Sequence, residues 1–370
     1  MMTDNDDTML YRIGVTMIPG IGSMNAKKLI AWCGDPSVVF KEPRSQLLKI
    51  PGMARILNGN VNLQGLLRRA EQELTFIRNS RIRILYYYDD DYPYRLKQCA
   101  DSPLVLYYKG VECLEEKRIL SVVGTRNATS YGKRICQEII KGFSGDNIVI
   151  VSGMAYGIDS CAHRRALSNG INTIGVMAHG LDRIYPGENR NMAARMLDQG
   201  GLITEFMSKT KPDRENFPKR NRIIAGLADA VLVVESAGKG GALITANIAH
   251  SYNRDVFAVP GRLHEEYSDG CHQLIRRNIA ALVRSSDDIR YSMGWEGKAK
   301  TQKSKMDLLS KFENDDKVIL NIIMEKEKAP IDDIILISGL GATKAASILL
   351  KLEFAGVISG LPGKLYEIRK

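Results

Sequence analysis

Apolar positions recur along this chain with two different periods, and each change of period marks a change of architecture. From residue 8 to about 78 the spacing is helical. Two segments there, "MIPGIGSMNAKKLI" (17–30) and "LLKIPGMARILNGNV" (47–61), set a Pro-Gly turn between apolar residues ahead of a helix start. Glycine permits the tight turn and bares backbone N–H groups at the following helix N-terminus. This is the layout of a helix-hairpin-helix (SAM-like) domain that binds phosphate. It is equally that of a small helical bundle using Pro-Gly turns, and the second copy lacks the second glycine of Gly-x-Gly.

From 80 to about 290, short β-branched runs alternate with helical stretches, the pattern of βαβ units and a parallel sheet. Strands are expected at 82–87, 119–123, 148–151, 171–177, 202–204, 230–234 and 256–259. Helices are expected near 131–143, 158–168, 189–199, 220–228 and 242–251. Residues 291–314 read as a linker, because "GWEGKAKTQKSKMD" (294–307) is rich in Lys and Gly and poor in large apolar residues. The remainder, 315–370, reads as three helices and a hairpin around "LPG", the order of a winged helix. That module binds duplex DNA or docks proteins, and its third helix offers only Lys344 and Lys351 as cations. The domains expected are therefore 1–78, 80–290 and 315–370.

In a parallel sheet, ligands bind beyond the carboxyl ends of the strands. The segments that follow the expected strands are "GTRNATSYG" (124–132), "SGMAYGIDSCAH" (152–163), "AHGLDRIYPGENR" (178–190), Glu205-Phe206, "ESAGKGGALITA" (235–246) and "PGR" (260–262). Short, glycine-rich and hydroxyl-bearing, they form a crest of backbone N–H groups suited to phosphate. Composition adds to this picture: 52 Lys+Arg against 42 Asp+Glu give a net charge of +10, which favours polyanionic partners. Arg126, Arg190, Lys219, Arg220, Arg222 and Lys239 all fall on or beside the crest, and Phe217 supplies a face on which an unpaired base can stack.

Catalytic readings find less support. Arg126 breaks the dinucleotide fingerprint Gly-x-Gly-x-x-Gly, and "AGKGGA" has glycine where a Walker loop needs a hydroxyl for magnesium. Ser152, Asp159 and His163 resemble a nucleophile, acid and base, but Ser152 suits a strand-end turn and Asp159 a helix cap. Glu205 and Glu235 each follow a strand; holding loop N–H groups or arginines is the expected role for such carboxylates. The six cysteines are scattered without a C-x-x-C, which points to reduced thiols rather than disulfides or zinc. The N-terminal "MMTDNDDTML" is acidic where a secretion signal is basic, and no apolar run reaches membrane-span length, so a cytoplasmic protein is expected.

Six segments then occur in a telling order: "VVGTR" (122–126), "VSGMAYGIDSCAH" (151–163), "GLDRIYP" (180–186), "FPKRNRIIAGL" (217–227), "ALITA" (242–246) and "VFAVPG" (256–261). Together they closely resemble the DNA-processing protein A (DprA/Smf) family. The resemblance implies an extended Rossmann-like α/β core that binds single-stranded DNA without catalysis or cofactor. It also implies a homodimer through that core and cooperation with the RecA recombinase during uptake of transforming DNA. The candidate set is Gly124, Thr125, Arg126, Ser152, Gly153, Arg190, Phe217, Lys219, Arg220, Asn221, Arg222, Lys239, Gly240, Gly241 and Thr245. Many members read Ser-Gly-Ser where Gly240, Gly241 and Ala242 stand here, so backbone N–H groups or Lys239 must serve in that part. Two other readings compete: a nucleotide-processing enzyme resembling lysine-decarboxylase-like phosphoribohydrolases, whose Pro-Gly-Gly-x-Gly-Thr loop this chain lacks, and a duplex-binding regulator acting through the C-terminal domain.

Overall fold

The computed structural model describes residues 4–53, 56, 62–295, 312, 314–326, 328–355, 357–361 and 363–368. Residues 296–311 and 313 of the expected linker, and 54, 55 and 57–61 of the second Pro-Gly segment, lie outside them. The chain divides into two compact units, Met1–Trp295 and Glu296–Lys370.

The first unit opens with helices α1 (Asp4–Thr16) and α2 (Gly22–Cys33). Between them Gly20 (φ 76°) and Gly22 (φ 56°) take left-handed backbone conformations with no neighbouring atom near. Glycine is needed there for conformation alone. Helix α3 (Leu63–Asn79) buries Ala70, Leu74 and Ile77, and its Glu73 carboxylate accepts from the backbone N–H (2.7 Å) and hydroxyl (2.5 Å) of Ser208. A buried carboxylate satisfied in this way ties the helices to the sheet.

That sheet has nine strands: β1 (Arg83–Tyr86), β2 (Val105–Gly110), β3 (Ile119–Val123), β4 (Val149–Ser152), β5 (Asn172–Val176), β6 (Gly200–Thr204), β7 (Ala230–Val233), β8 (Asp255–Ala258) and β9 (Ala281–Leu282). Their spatial order is β1-β2-β6-β5-β4-β3-β7-β8-β9, with only β2 running against its neighbours. Helices α4 (Ser130–Gly142), α5 (Ile158–Ser168), α6 (Arg190–Asp198), α7 (Asn216–Leu227), α8 (Gly241–Ser251), α9 (Asp269–Arg276) and α10 (Ser286–Met293) follow the strands. Because both faces of the central strands are covered, they divide their side chains: Leu120 and Val122 of β3 enter one core, Ile119 and Val123 the other. The chain leaves β3 towards β4 and later returns on its other side as β7, which places the carboxyl ends of β3, β4, β5 and β7 along one crest.

The second unit holds α11 (Asn314–Lys326), β10 (Lys328–Pro330), α12 (Ile331–Ser338), α13 (Ala342–Phe354), β11 (Ile358–Leu361) and β12 (Leu365–Ile368), a winged helix around Ile319, Leu320, Ile323, Leu349 and Leu352. The two cations of its third helix are engaged: Lys344 pairs with Asp315 (2.5 Å) and Lys351 with Asp316 (2.8 Å). No single described helix in the chain is long and apolar enough to cross a membrane.

Beneath the crest lies the expected Ser152–Asp159–His163 group, and it is structural. The Ser152 hydroxyl is fully buried and donates inward to the Val122 carbonyl at 2.6 Å, which corrects the expectation that it faces a phosphate. His163 is also fully buried, with Nε2 2.7 Å from the Gly153 carbonyl and Nδ1 2.7 Å from the Thr173 hydroxyl. A carbonyl only accepts, so the neutral ring carries its proton on Nε2, while the single Thr173 hydroxyl proton lies within reach of both Nδ1 and the Ile150 carbonyl (2.9 Å).

Burial pulls the His163 pKa down from 6.5 to about 4. The unfolded ring therefore takes up a proton first as the pH falls below 6.5, and the fold loses stability until about pH 4. Burial raises Asp159, which acts in the opposite sense at the acid end of that window. From pH 7 to pH 5 the His163 contribution to urea unfolding should fall by about 2 kcal/mol. In His163→Gln that component should vanish; an identical pH dependence in both proteins would refute this assignment.

Candidate nucleic-acid interface

The loop after β3 is shaped from below by one acidic residue. Glu235, at the end of β7, uses both carboxylate oxygens on Thr129, accepting from its N–H (2.9 Å) and its hydroxyl (2.5 Å), while the Glu235 carbonyl accepts from Thr125 N–H at 2.8 Å. Thr129 in turn caps α4 by accepting from Gly132 N–H. A Cβ at Gly132 would stand 2.1 Å from the Glu235 carboxylate, so only glycine leaves it room. Gly124 is similarly confined, its missing Cβ facing Ile158 at 2.4 Å. Gly124 and Thr125 thus hold the loop, and Arg126 is the charged side chain it presents to solvent, next to Asn127.

The basic stretch opening at Asn216 is helical throughout: α7 starts four residues before the helix expected at 220–228, and the stretch forms its first two turns. At about 100° per residue, Phe217 and Arg220 share one face while Lys219 and Arg222 share another. The three cations therefore do not line one groove.

On the first face, the Phe217 ring has the Arg126 guanidinium carbon 5.0 Å and that of Arg220 5.9 Å from its centroid, both within cation–π range. Arg220 is only 5% exposed, and its Nη1 donates to the Val176 carbonyl at 2.5 Å. It faces Asp159 across Gly153: a Cβ on that glycine would lie 2.4 Å from Oδ2 and 2.5 Å from Nη1. Arg220 is thus corrected from a solvent-facing cation to a buried one that supports the ring.

On the second face, Arg222 donates to Glu205 and to the Asp101 carbonyl and lies 3.5 Å from the Ser23 hydroxyl, so it bolts α7 to the N-terminal helices. Glu205 is thereby an arginine partner, as its position after a strand suggested. Lys219 is exposed beside it, in a separate recess lined also by Ser23 and Asn25 of α2.

The remaining candidates scatter. Asn221 and Thr245 are buried, and both direct polar atoms at the Gly241 carbonyl (3.5 and 3.3 Å), holding the glycine turn rather than facing outward. Lys239 and Gly241 are exposed at that turn, with Gly240 beside them. Arg190 is exposed at the start of α6. None of these lines the hollow that Arg126, Phe217 and Arg220 share.

That hollow has walls the sequence reading missed, Tyr156 and Tyr185, which are 46% and 48% exposed. Their only sequence signal was a tyrosine inside "MAYG" and another inside "RIYPG", each in a segment that follows a strand. At about 50 Å³ the hollow holds a water or two, so it offers faces for stacking rather than a cavity that engulfs a ligand. An exposed guanidinium above a half-buried ring, flanked by two tyrosines, suits a polyanion with flat, unpaired bases.

Comparison with known proteins identifies the family. The model of the DNA recombination-mediator protein A family matches residues 83–294, and that of the DprA winged helix domain matches 313–364. DNA processing protein DprA of Bacillus subtilis is 36% identical over 257 residues, covering 69% of this chain and 86% of that protein. The X-ray structure of DNA processing protein A from Streptococcus pneumoniae superposes with a TM-score of 0.63 at 33% identity, covering 76% of this chain and 96% of that one. That of Helicobacter pylori, described for its single-stranded DNA binding mode, gives a TM-score of 0.53 at 27% identity, covering 58% and 95%. By sequence and by fold, the chain belongs to the DNA recombination-mediator protein A family of DNA-processing proteins.

Proposed function

We propose that this protein binds single-stranded DNA across the strand-end crest, without catalysis, to protect incoming DNA and help load the RecA recombinase. The observation that carries the DNA-binding part is the exposed Arg126 guanidinium stacked on Phe217 beside Tyr156 and Tyr185. Arg126 neutralises a phosphate while the rings accept bases, which a duplex keeps stacked on one another. The single-stranded DNA binding described for the Helicobacter pylori relative supports the same reading.

The groups with catalytic chemistry are occupied elsewhere: Ser152 and His163 in buried structural bonds, Glu235 on Thr129, Glu205 on Arg222. This favours a binder over a phosphoribohydrolase-like enzyme. A homodimer formed through the sheet unit belongs to the same proposal and rests on the family resemblance; a cytoplasmic location and the division into domains 1–78, 80–290 and 315–370 belong to it too and rest on the sequence pattern.

Two outcomes are expected in titrations of the full chain with a labelled oligonucleotide at several salt concentrations. Single strands should bind more tightly than duplex, and Phe217→Ala should weaken that binding by about 1–3 kcal/mol with the salt slope unchanged. Arg126→Ala should instead flatten log affinity against log salt by about 0.7, whatever the base sequence. Equal affinity for duplex, or a folded Arg126→Ala, Phe217→Ala double variant that binds as the parent does, would move the site elsewhere.

Turnover should be absent as well. Release of free base from a nucleoside monophosphate, abolished in Glu235→Gln, would favour the hydrolase reading instead.

A further inference from the structure

On the far side of Arg126 and Tyr156 from the Phe217 hollow, α4 and α5 enclose a second, wider cleft of about 550 Å³. Arg126 and Tyr156 line both spaces, so they form a shared wall. Three more cations, Lys133, Arg164 and Arg165, line the cleft, and among the described residues no carboxylate does. Lys133 and Arg164 are exposed. The partners of the arginines are neutral: Arg164 lies 3.4 Å from the Asn189 amide oxygen and Arg165 3.3 Å from the Gln137 carbonyl. Elsewhere on the surface Arg83 and Arg183 are matched by carboxylates, whereas this cluster faces neutral groups and offers its charge to an anionic partner.

The buried Cys161 thiol beneath them is held below the ordinary thiol range, chiefly by a hydrogen bond from Cys136; the charges of Arg164 and Lys133 act in the same direction. Tyr156 is the one ring among the lining residues, while hydroxyls (Ser160, Ser168) and amides (Asn127, Gln137) supply the rest. Such a lining suits sugar and phosphate and gives bases little to stack on.

We infer that the α4–α5 cleft is a second subsite for the same nucleic acid strand, in which Lys133, Arg164 and Arg165 hold the phosphates that follow the one at Arg126. The inference rests on the single-strand binding proposed above. It assigns the two spaces different chemistry: the hollow reads unpaired bases by stacking, and the cleft grips the backbone. The extra contacts are therefore electrostatic, independent of base sequence, and available only to a strand long enough to cross the Arg126–Tyr156 wall.

The test compares thymidine oligomers of about 4 and about 16 nucleotides, the range of site sizes for single-strand grooves. Each is titrated at several salt concentrations against the full chain and a Lys133→Gln, Arg164→Gln, Arg165→Gln variant. For the long oligomer the variant should flatten the salt slope by about 2, three contacts at about 0.7 each. For the short oligomer, affinity and slope should match the parent. Lys133→Glu alone, a change at an exposed position, should weaken the long oligomer only and serves if the triple variant does not fold.

An unchanged slope for the long oligomer, while Phe217→Ala still weakens both lengths, overturns the second subsite and leaves the first standing. That outcome would fit a cleft built for an acidic protein segment. Failure of the parent chain to bind either oligomer overturns the single-strand reading itself, and the subsite with it.

Discussion

A guanidinium buried beneath the crest sets the conditions for everything above it. Arg220 is an arginine that water scarcely reaches, and burying an unmatched charge costs several kcal/mol. The structure answers with Asp159 facing it and the Val176 carbonyl accepting from it. Those groups come from α5 and from the end of β5, while Arg220 comes from α7. Meeting the charge therefore brings three strand-end segments together. Gly153 lies between the two side chains and leaves no room for a Cβ, while its carbonyl is held by His163 from below. On this base stand Phe217, one turn before Arg220, and Arg126, on the loop clamped by Glu235.

Much of this was legible in the sequence, and the reasons for the rest are physical. The expected strand at 119–123 and helix at 158–168 match β3 and α5 residue for residue, because turn chemistry bounds both ends clearly. β2 went unread because "VLYY" is apolar throughout. Its residues alternate between two cores, Val105 and Tyr107 under the N-terminal helices and Leu106 and Tyr108 in the sheet core, so no polar face reveals a period of two. The antiparallel placement of β2 between β1 and β6 was equally invisible, since register depends on contacts distant in sequence.

The site was legible in composition but not in geometry. Arg126 and Phe217 were identified and do meet, Arg126 on the loop after β3 and Phe217 in the first turn of α7. The cations around Phe217 were read together as lining one crest. A helix starting four residues earlier than expected instead turns Arg220 inward and sends Arg222 to Glu205. Helical phase at a helix start is decided by capping and burial, and here Glu215 makes no side-chain cap hydrogen bond that would mark the boundary. The cleft cations Lys133, Arg164 and Arg165 escaped notice for a related reason. They sit inside helices, and only the packing of α4 against α5 places them on one surface.

The central claim is that unpaired bases lie on the rings beside Arg126. Photo-crosslinking tests this most directly. An oligonucleotide carrying 5-bromouracil would be irradiated on the full chain and the attached peptides identified by mass spectrometry. The account predicts crosslinks at Phe217, Tyr156 or Tyr185, all lost when excess unlabelled single strand is present. Crosslinks confined to the winged helix, on α13 or the β11–β12 hairpin, would contradict it.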